Sequence, residues 1–155
     1  MDVKVDWKNH MLFEGVADSG FTQKLDARQS LGGENSAARP MEYIALGLVG
    51  CTAMDVISIL QKKQQQVTDF QVKMHADRAS EYPRVFTYAV IEYIVTGKDV
   101  KEAAVLRAIE LSVEKYCPVY AMLSKAFPME LHYKIFDERH ELINEGFYQR
   151  SFAGQ

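Results

Sequence analysis

MEYIALGLVGCTAMDVISILQ, residues 41–61, is apolar on almost every side when wound as a helix. That pattern belongs inside a protein rather than on its surface. Arg39-Pro40 precedes the run, which puts a proline near the first helical position, and QKKQQQ ends it. The spacing predicts a long, central, buried helix from Met41 to about Gln65. Gly47 and Gly50 each lower helix propensity by about 1 kcal/mol relative to alanine, which implies that another backbone packs closely there. The apolar run from Tyr43 to Met54 stops at Asp55 and is read as too short to cross a bilayer.

Upstream of this helix, VKVDW, LFEGV and FTQKLD are short alternating runs separated by KNH and ADSG, the pattern of a β-meander over residues 1–30. SLGGENSAARP reads as a loop. Its LGGEN lacks the Lys-Ser/Thr of a phosphate loop and is read as a turn. Downstream, FQVKMHADRA alternates with Phe70, Val72, Met74 and Ala76 inward. VFTYAVIEYIV is apolar on both faces, so a cover on both sides is expected. A single chain with few helices has little to supply that second cover, and a homodimer would.

The segment TGKDVKEAAVLRAIELSVEKYC reads as an amphipathic helix, with Asp99 as N-cap and Glu102 three residues on, close to a capping box. Pro118 disfavours helical geometry at Cys117 and opens a new helical segment, Pro118 to Ala126. MELHYKIF is a last strand, and residues 137–155 are a polar extension beyond a single domain of residues 1–136. The order β-β-β-α-β-β-α-α-β is that of an α+β domain with mostly antiparallel strands.

With 155 residues, 48% hydrophobic and 25% charged, the chain is long enough to build a core without a disulfide. Its net charge of −3 and lack of any extended basic block exclude an evident nucleic-acid footprint. The first residues, MDVKVDWKNHMLFEG, do not read as a secretory signal, and two cysteines in such a chain point to a reducing cytoplasm, with no membrane partner. HELIN, residues 140–144, misses the second histidine of a zinc hydrolase motif. His75 and His132 fall on polar strand faces. No metal site is expected.

The chemistry therefore rests on Cys51 and Cys117. A lone buried cysteine is ordinarily a small hydrophobe. Cys51 has mostly apolar helical neighbours at i±3, i±4 and i±7, but Asp55 is among them, and an ionised carboxylate there raises a thiol pKa. Cys117 falls at an N-cap, where free amides and the helix dipole favour a thiolate. Residue physics thus nominates Cys117 as the more acidic of the two. Tyr43, Met54, Tyr116 and Met122 are candidate lining for an apolar pocket around the thiols.

RPMEYIALGLVGCTAMDV, followed far downstream by EKYCPVYAMLSKA, resembles the OsmC/Ohr superfamily of osmotically induced and organic-hydroperoxide-resistance proteins. Pro40, Cys51, Cys117, Pro118 and Val119 carry the likeness, which runs from about residue 1 to 136. The resemblance implies an intertwined homodimer of curved, mostly antiparallel sheets around long central helices. It further implies thiol-based reduction of organic hydroperoxides: Cys51 attacks the O–O bond, Cys117 resolves the sulfenic acid to a disulfide, and an external dithiol, with no bound cofactor, reduces it.

In the peroxide-reducing members a Glu directly after the proline and an Arg from the N-terminal strands hold the reactive thiolate. Here Met41 follows Pro40, the acid is Glu42, and no arginine precedes Arg28. Nine residues from Glu42 to Cys51 are about 180° around a helix, and Arg39 is the candidate substitute for the arginine. The competing reading is a non-enzymatic dimer whose apolar pocket holds a ligand, with the cysteines as core residues.

Overall fold

A computed structural model describes residues 1–149. It divides into two compact units, residues 1–46 and residues from 47 onward.

The first unit is the expected meander. β1 (Val3–Asn9), β2 (Leu12–Ala17) and β3 (Thr22–Leu25) form an antiparallel sheet in the order β1-β2-β3. Its apolar side chains stay open: Val3, Val5, Trp7 and Phe21 are exposed, and only Asp26 and Gly33 are buried in this unit. Asp26 organises the loop that follows. Its carboxylate accepts from the backbone N–H of Ala27 (2.7 Å), Glu34 (3.1 Å) and Ser36 (2.8 Å) and from the Ser36 hydroxyl (2.8 Å). These donors, led by Ser36, hold its pKa down at about 2.

Helix α1 (Pro40–Lys62) starts in the first unit and continues through the second. Proline is its first residue, as predicted. Glu42 reaches back to accept from the Arg39 N–H at 2.8 Å and pairs with the Arg39 guanidinium at 2.7 Å, a cap for a helix whose first N–H groups have no partner within it.

In the second unit α1 is followed by β4 (Gln66–Arg78), β5 (Phe86–Lys98), α2 (Glu102–Leu111), α3 (Pro118–Leu123), β6 (Met129–Phe136) and β7 (Leu142–Tyr148). The sheet order is β4-β5-β6-β7, antiparallel except for the β5–β6 pair, whose crossover carries α2 and α3. The α+β class with mostly antiparallel strands therefore holds. Phe70, Val72, Met74 and Ala76 pair with Val95, Tyr93, Ile91 and Ala89. This inner face joins Leu48, Val56 and Leu60 of α1 and Val105, Ala108 and Ile109 of α2 in one core.

Several expectations are corrected. Asp99 does not cap α2: its backbone has φ 51, the N-cap is Lys101 without a side-chain bond, and Glu102 instead accepts from the Tyr133 hydroxyl. This chain by itself buries one face of β5 and, of the other, Thr96. Val90, Glu92 and Ile94 on the other are half-buried beside Lys73, Lys134 and His132, with Lys134 and Glu92 paired at 2.7 Å. Residues 142–148, which the sequence leaves without an element, form β7 and extend the sheet beyond β6. Asn144 of HELIN lies on that strand, and residues 150–155 lie outside the described residues.

α1 is also less buried than its composition implies. At 100° per residue, Leu48, Thr52, Val56, Ile59 and Leu60 form one buried stripe. The opposite stripe, Leu46, Gly47, Gly50 and Met54, is open or half-open, and apart from the helix's own backbone no described atom lies within 4 Å of where a Cβ on either glycine would sit. Among the described residues, none supplies the close backbone expected there. Because Val56, Ile57, Ile59 and Leu60 resume the apolar pattern past Asp55, the 23-residue helix is long and apolar enough, by length and composition, to cross a membrane. Its buried stripe is equally what a core helix requires.

The Asp26 carboxylate makes a pH prediction. A carboxyl held at about 2 when folded, against an ordinary 3.8, contributes stability that is complete above the ordinary value and is lost as the pH falls towards 2. Asp26→Asn places an NH2 where donors converge. Urea unfolding across this pH range should show a flatter acid limb in the variant than in the wild type.

Candidate active site

Cys51 and Asp55 lie one turn apart on the flank of α1, between its buried and open stripes. Thr52, next to Cys51, points into the core and is fully buried. The second half of the site comes from the end of α2. There the helix widens into a π turn, Ser112–Tyr116, closed by the Cys117 N–H donating to the Ser112 carbonyl at 2.8 Å. Such a turn accommodates one extra residue without ending the helix. Pro118 then forces the break: Cys117 is extended (φ −79, ψ 100) and caps α3, its Sγ accepting from the Tyr120 N–H at 3.3 Å. The predicted N-cap position is thus the one observed.

These two elements bring sulfurs 66 residues apart in sequence to 2.8 Å, with Cys117 donating to Cys51. Cys51 is half-buried and Cys117 is 2% exposed, both as free thiols. The Asp55 carboxylate completes a triad whose ligand atoms all lie within 4.8 Å of one another.

Behind the triad runs a chain of buried hydroxyls that sequence reasoning missed. Tyr93 Oη lies 2.6 Å from Thr52 Oγ1, Thr52 Oγ1 lies 2.9 Å from Ser112 Oγ, and Ser112 Oγ lies 3.0 Å from Asp55 Oδ2. An ionised carboxylate only accepts, and each hydroxyl has one proton to donate. Ser112 therefore donates to Asp55, Thr52 to Ser112, and Tyr93 to Thr52, so the chain has one direction. Its signal in the sequence was a hydroxyl at core-facing positions: Thr52 on the buried stripe of α1, and Tyr93 on the same strand face as Ile91 and Val95.

The electrostatics reverse one inference from residue physics. The Tyr120 N–H at the helix cap lowers the Cys117 pKa, but burial opposes it more strongly, and the bond to Cys51 adds to burial. The thiol is pushed up to about 12, with the charge of Asp55 contributing in the same direction. Cys117 keeps its proton at neutral pH. Burial likewise pushes the Tyr93 phenol up.

Of the other candidates, Arg39, Glu42 and Tyr43 belong to the first unit. Arg39 and Glu42 pair with each other, Arg39 also donates to Asn35 at 2.6 Å, and the Tyr43 hydroxyl donates to the Lys24 carbonyl at 2.7 Å. Met54, Tyr116 and Met122 are exposed in the second unit, with the Lys115 ammonium over the Tyr116 ring. A groove of about 360 Å³ reaches Asp55, with Ile59, Leu111 and Tyr116 giving it apolar wall and Lys62 and Lys63 positive charge.

Residues 33–132 match the family described as OsmC-like protein. Protein YhfA of Escherichia coli K12 is 42% identical over 135 residues, 87% of this chain and 98% of the relative. The chain belongs to the OsmC-like family. Among solved structures, a hypothetical protein from Aquifex aeolicus VF5 is similar at a TM-score of 0.78 and 28% identity, covering 88% of this chain and 96% of that one. An organic hydroperoxide resistance protein OsmC from Legionella pneumophila shares the fold at a TM-score of 0.63 and 15% identity, over 84% and 93% of the two chains. The family resemblance first drawn from Pro40, Cys51, Cys117, Pro118 and Val119 is thereby established for this OsmC-like chain.

The hydroxyl chain carries a stability prediction. Thr52→Val keeps the shape but strands the Tyr93 hydroxyl in the core, and the loss should be about 1–3 kcal/mol. Ser112→Ala should cost a similar amount. Because both sit in one network, the double variant should lose less than the sum of the two, as read from denaturant midpoints.

Proposed function

We propose that this protein reduces organic hydroperoxides with its two cysteines, in a role in peroxide defence. The approach of the two sulfurs to 2.8 Å carries the reading, and family membership supports it. Cys51, as thiolate, attacks the distal oxygen of the hydroperoxide. The O–O bond breaks, the alkoxide leaves with a proton as the alcohol, and Cys51 becomes a sulfenic acid. The Cys117 thiol then condenses with it, releasing water and forming the disulfide. From 2.8 Å the sulfurs need close by only about 0.8 Å to reach disulfide bonding distance. An external dithiol returns both to thiols, which suits a reducing cytoplasm.

The environments of the two thiols support this assignment of roles. A thiol pushed up to about 12 is a poor attacking group at neutral pH and a suitable resolving one, since it brings the proton that leaves with the water. The groove beside Asp55, part apolar and part cationic, suits an amphiphilic peroxide.

The same proposal includes a homodimer. The open stripe of α1, with Gly47 and Gly50 unobstructed, and the exposed Val3, Val5, Trp7 and Phe21 of the meander are apolar surface that one chain leaves uncovered. A second copy is the expected cover. Light scattering at micromolar concentration should give twice 17.7 kDa. A stable folded monomer there removes this part of the proposal.

Cumene hydroperoxide at one equivalent should consume two thiols per chain and leave an intramolecular disulfide. Cys117→Ser should stop at a sulfenic acid trapped by dimedone on Cys51, and Cys51→Ser should lose at least a hundredfold in peroxide consumption. Wild-type turnover in Cys51→Ser rejects the mechanism. The remaining reading is then a dimer that holds an apolar ligand against Met54, Tyr116 and Met122, all exposed in this chain.

A further inference from the structure

The triad of Cys51, Asp55 and Cys117 also groups atoms of the kinds that hold metal ions. Two sulfurs and a carboxylate within 4.8 Å of one another are a mixed soft and hard donor set on a rigid frame. We propose that in the reduced state these three side chains bind one Zn²⁺ per chain, with a water or an exogenous ligand in the fourth position, so that metal and peroxide compete for the same two thiols.

The donor chemistry selects the ion. Thiolate ligands disfavour magnesium and calcium, and a carboxylate disfavours the all-sulfur sites of copper(I), whereas zinc accepts both at about 2.0–2.3 Å in a tetrahedron. Tetrahedral bonds of that length put two ligating sulfurs roughly 3.8 Å apart. The pair stands at 2.8 Å, so the ion requires an opening of about 1 Å, a small torsion of the half-buried Cys51 side chain.

The outer shell is already built. Cys117 Sγ is held by the Tyr120 N–H at 3.3 Å, and Asp55 by Ser112 at 3.0 Å, itself anchored through Thr52 to Tyr93. Fixing first-contact ligands by such partners is what raises metal affinity in proteins. The groove that reaches Asp55 gives the fourth position a route to solvent. Two thiolates and a carboxylate leave the zinc complex with one net negative charge, and Lys62 and Lys63 line that groove.

Binding exchanges protons for metal: two thiols and Zn²⁺ give the dithiolate complex and two protons. Oxidation of the complex balances as well. The bound dithiolate, one hydroperoxide and two protons yield the disulfide, the alcohol, water and free Zn²⁺. The site would hold zinc while thiols are reduced and release it as they oxidise.

The test uses the full-length, reduced protein and zinc alone. Competition with a chromogenic chelator should give one Zn²⁺ per chain. Co²⁺ should produce a thiolate-to-metal charge-transfer band in the near ultraviolet. Cys51→Ser and Cys117→Ser should each weaken zinc at least a hundredfold, and Asp55→Asn at least tenfold. Ser112→Ala should weaken it severalfold while keeping the Co²⁺ band, as expected of a positioning residue. Prior oxidation to the disulfide should abolish binding. Substoichiometric zinc, no sulfur charge-transfer band, or unchanged affinity in the cysteine variants overturns the proposal. Apart from the oxidation arm, these readouts need no peroxide, so they stand or fall separately from the reductase mechanism. Circular dichroism of each variant shows whether a lost signal reflects the site or the fold.

Discussion

The hydrogen bond between Thr52 and Ser112, 2.9 Å long and with both residues fully buried, joins the two elements that carry the thiols. Cys51 is the chain neighbour of Thr52, and Ser112 opens the turn that ends at Cys117. A buried hydroxyl left unpaired costs more than the bond itself contributes. The pairing therefore selects one register of α1 against the end of α2, where an apolar contact would tolerate sliding. Tyr93 extends the constraint to the sheet, since its phenol completes the Thr52 hydroxyl from β5. Three elements distant in sequence are thus referenced to one line of oxygens, and the sulfurs are placed as a consequence.

That line also explains how a carboxylate is tolerated beside two thiols. Asp55 is half-buried, and its charge is met by the last donor of a chain whose hydroxyls all point the same way. Aligned hydroxyl dipoles reinforce one another in a low-dielectric interior. Against this, the helix-cap amide at Cys117 is a single donor at 3.3 Å, and desolvation of a 2% exposed sulfur outweighs it. Motif geometry alone favours a thiolate at that cap, and depth of burial decides otherwise.

Much of the architecture was legible in the residues because local rules and tertiary packing agree. Alternation in FQVKMHADRA predicts the inward set of β4, and Pro40 and Pro118 open α1 and α3 as their fixed φ requires. The misses share a cause. Asp99 has a capping side chain, but a positive φ takes its backbone out of the capping geometry, and nothing in KDVKE announces that. β7 alternates weakly and finds its place only because β6 offers a free edge. α1 looks buried all round in composition, yet one chain covers only the stripe through Thr52. Of the site, Asp55 followed from its spacing to Cys51 along the helix, and the pairing of the two cysteines from the family resemblance. Ser112, Thr52 and Tyr93 did not, because a hydroxyl on a core-facing position has no meaning until its partners are known.

The widened turn at Ser112–Tyr116 has a further consequence for how this chain tolerates change in length. The turn closes from Ser112 to Cys117 over five residues where an ordinary helix uses four, so removing one residue between Val113 and Tyr116 would tighten it to an ordinary turn and leave Cys117 near its present angle. Adding one has no such remedy: residues in a regular helix advance about 100° each, and Cys117 would be carried away from Cys51 even though every atom of both cysteines and of Pro118 were retained. Lineages of such chains should therefore tolerate a residue lost from this turn better than a residue gained in it.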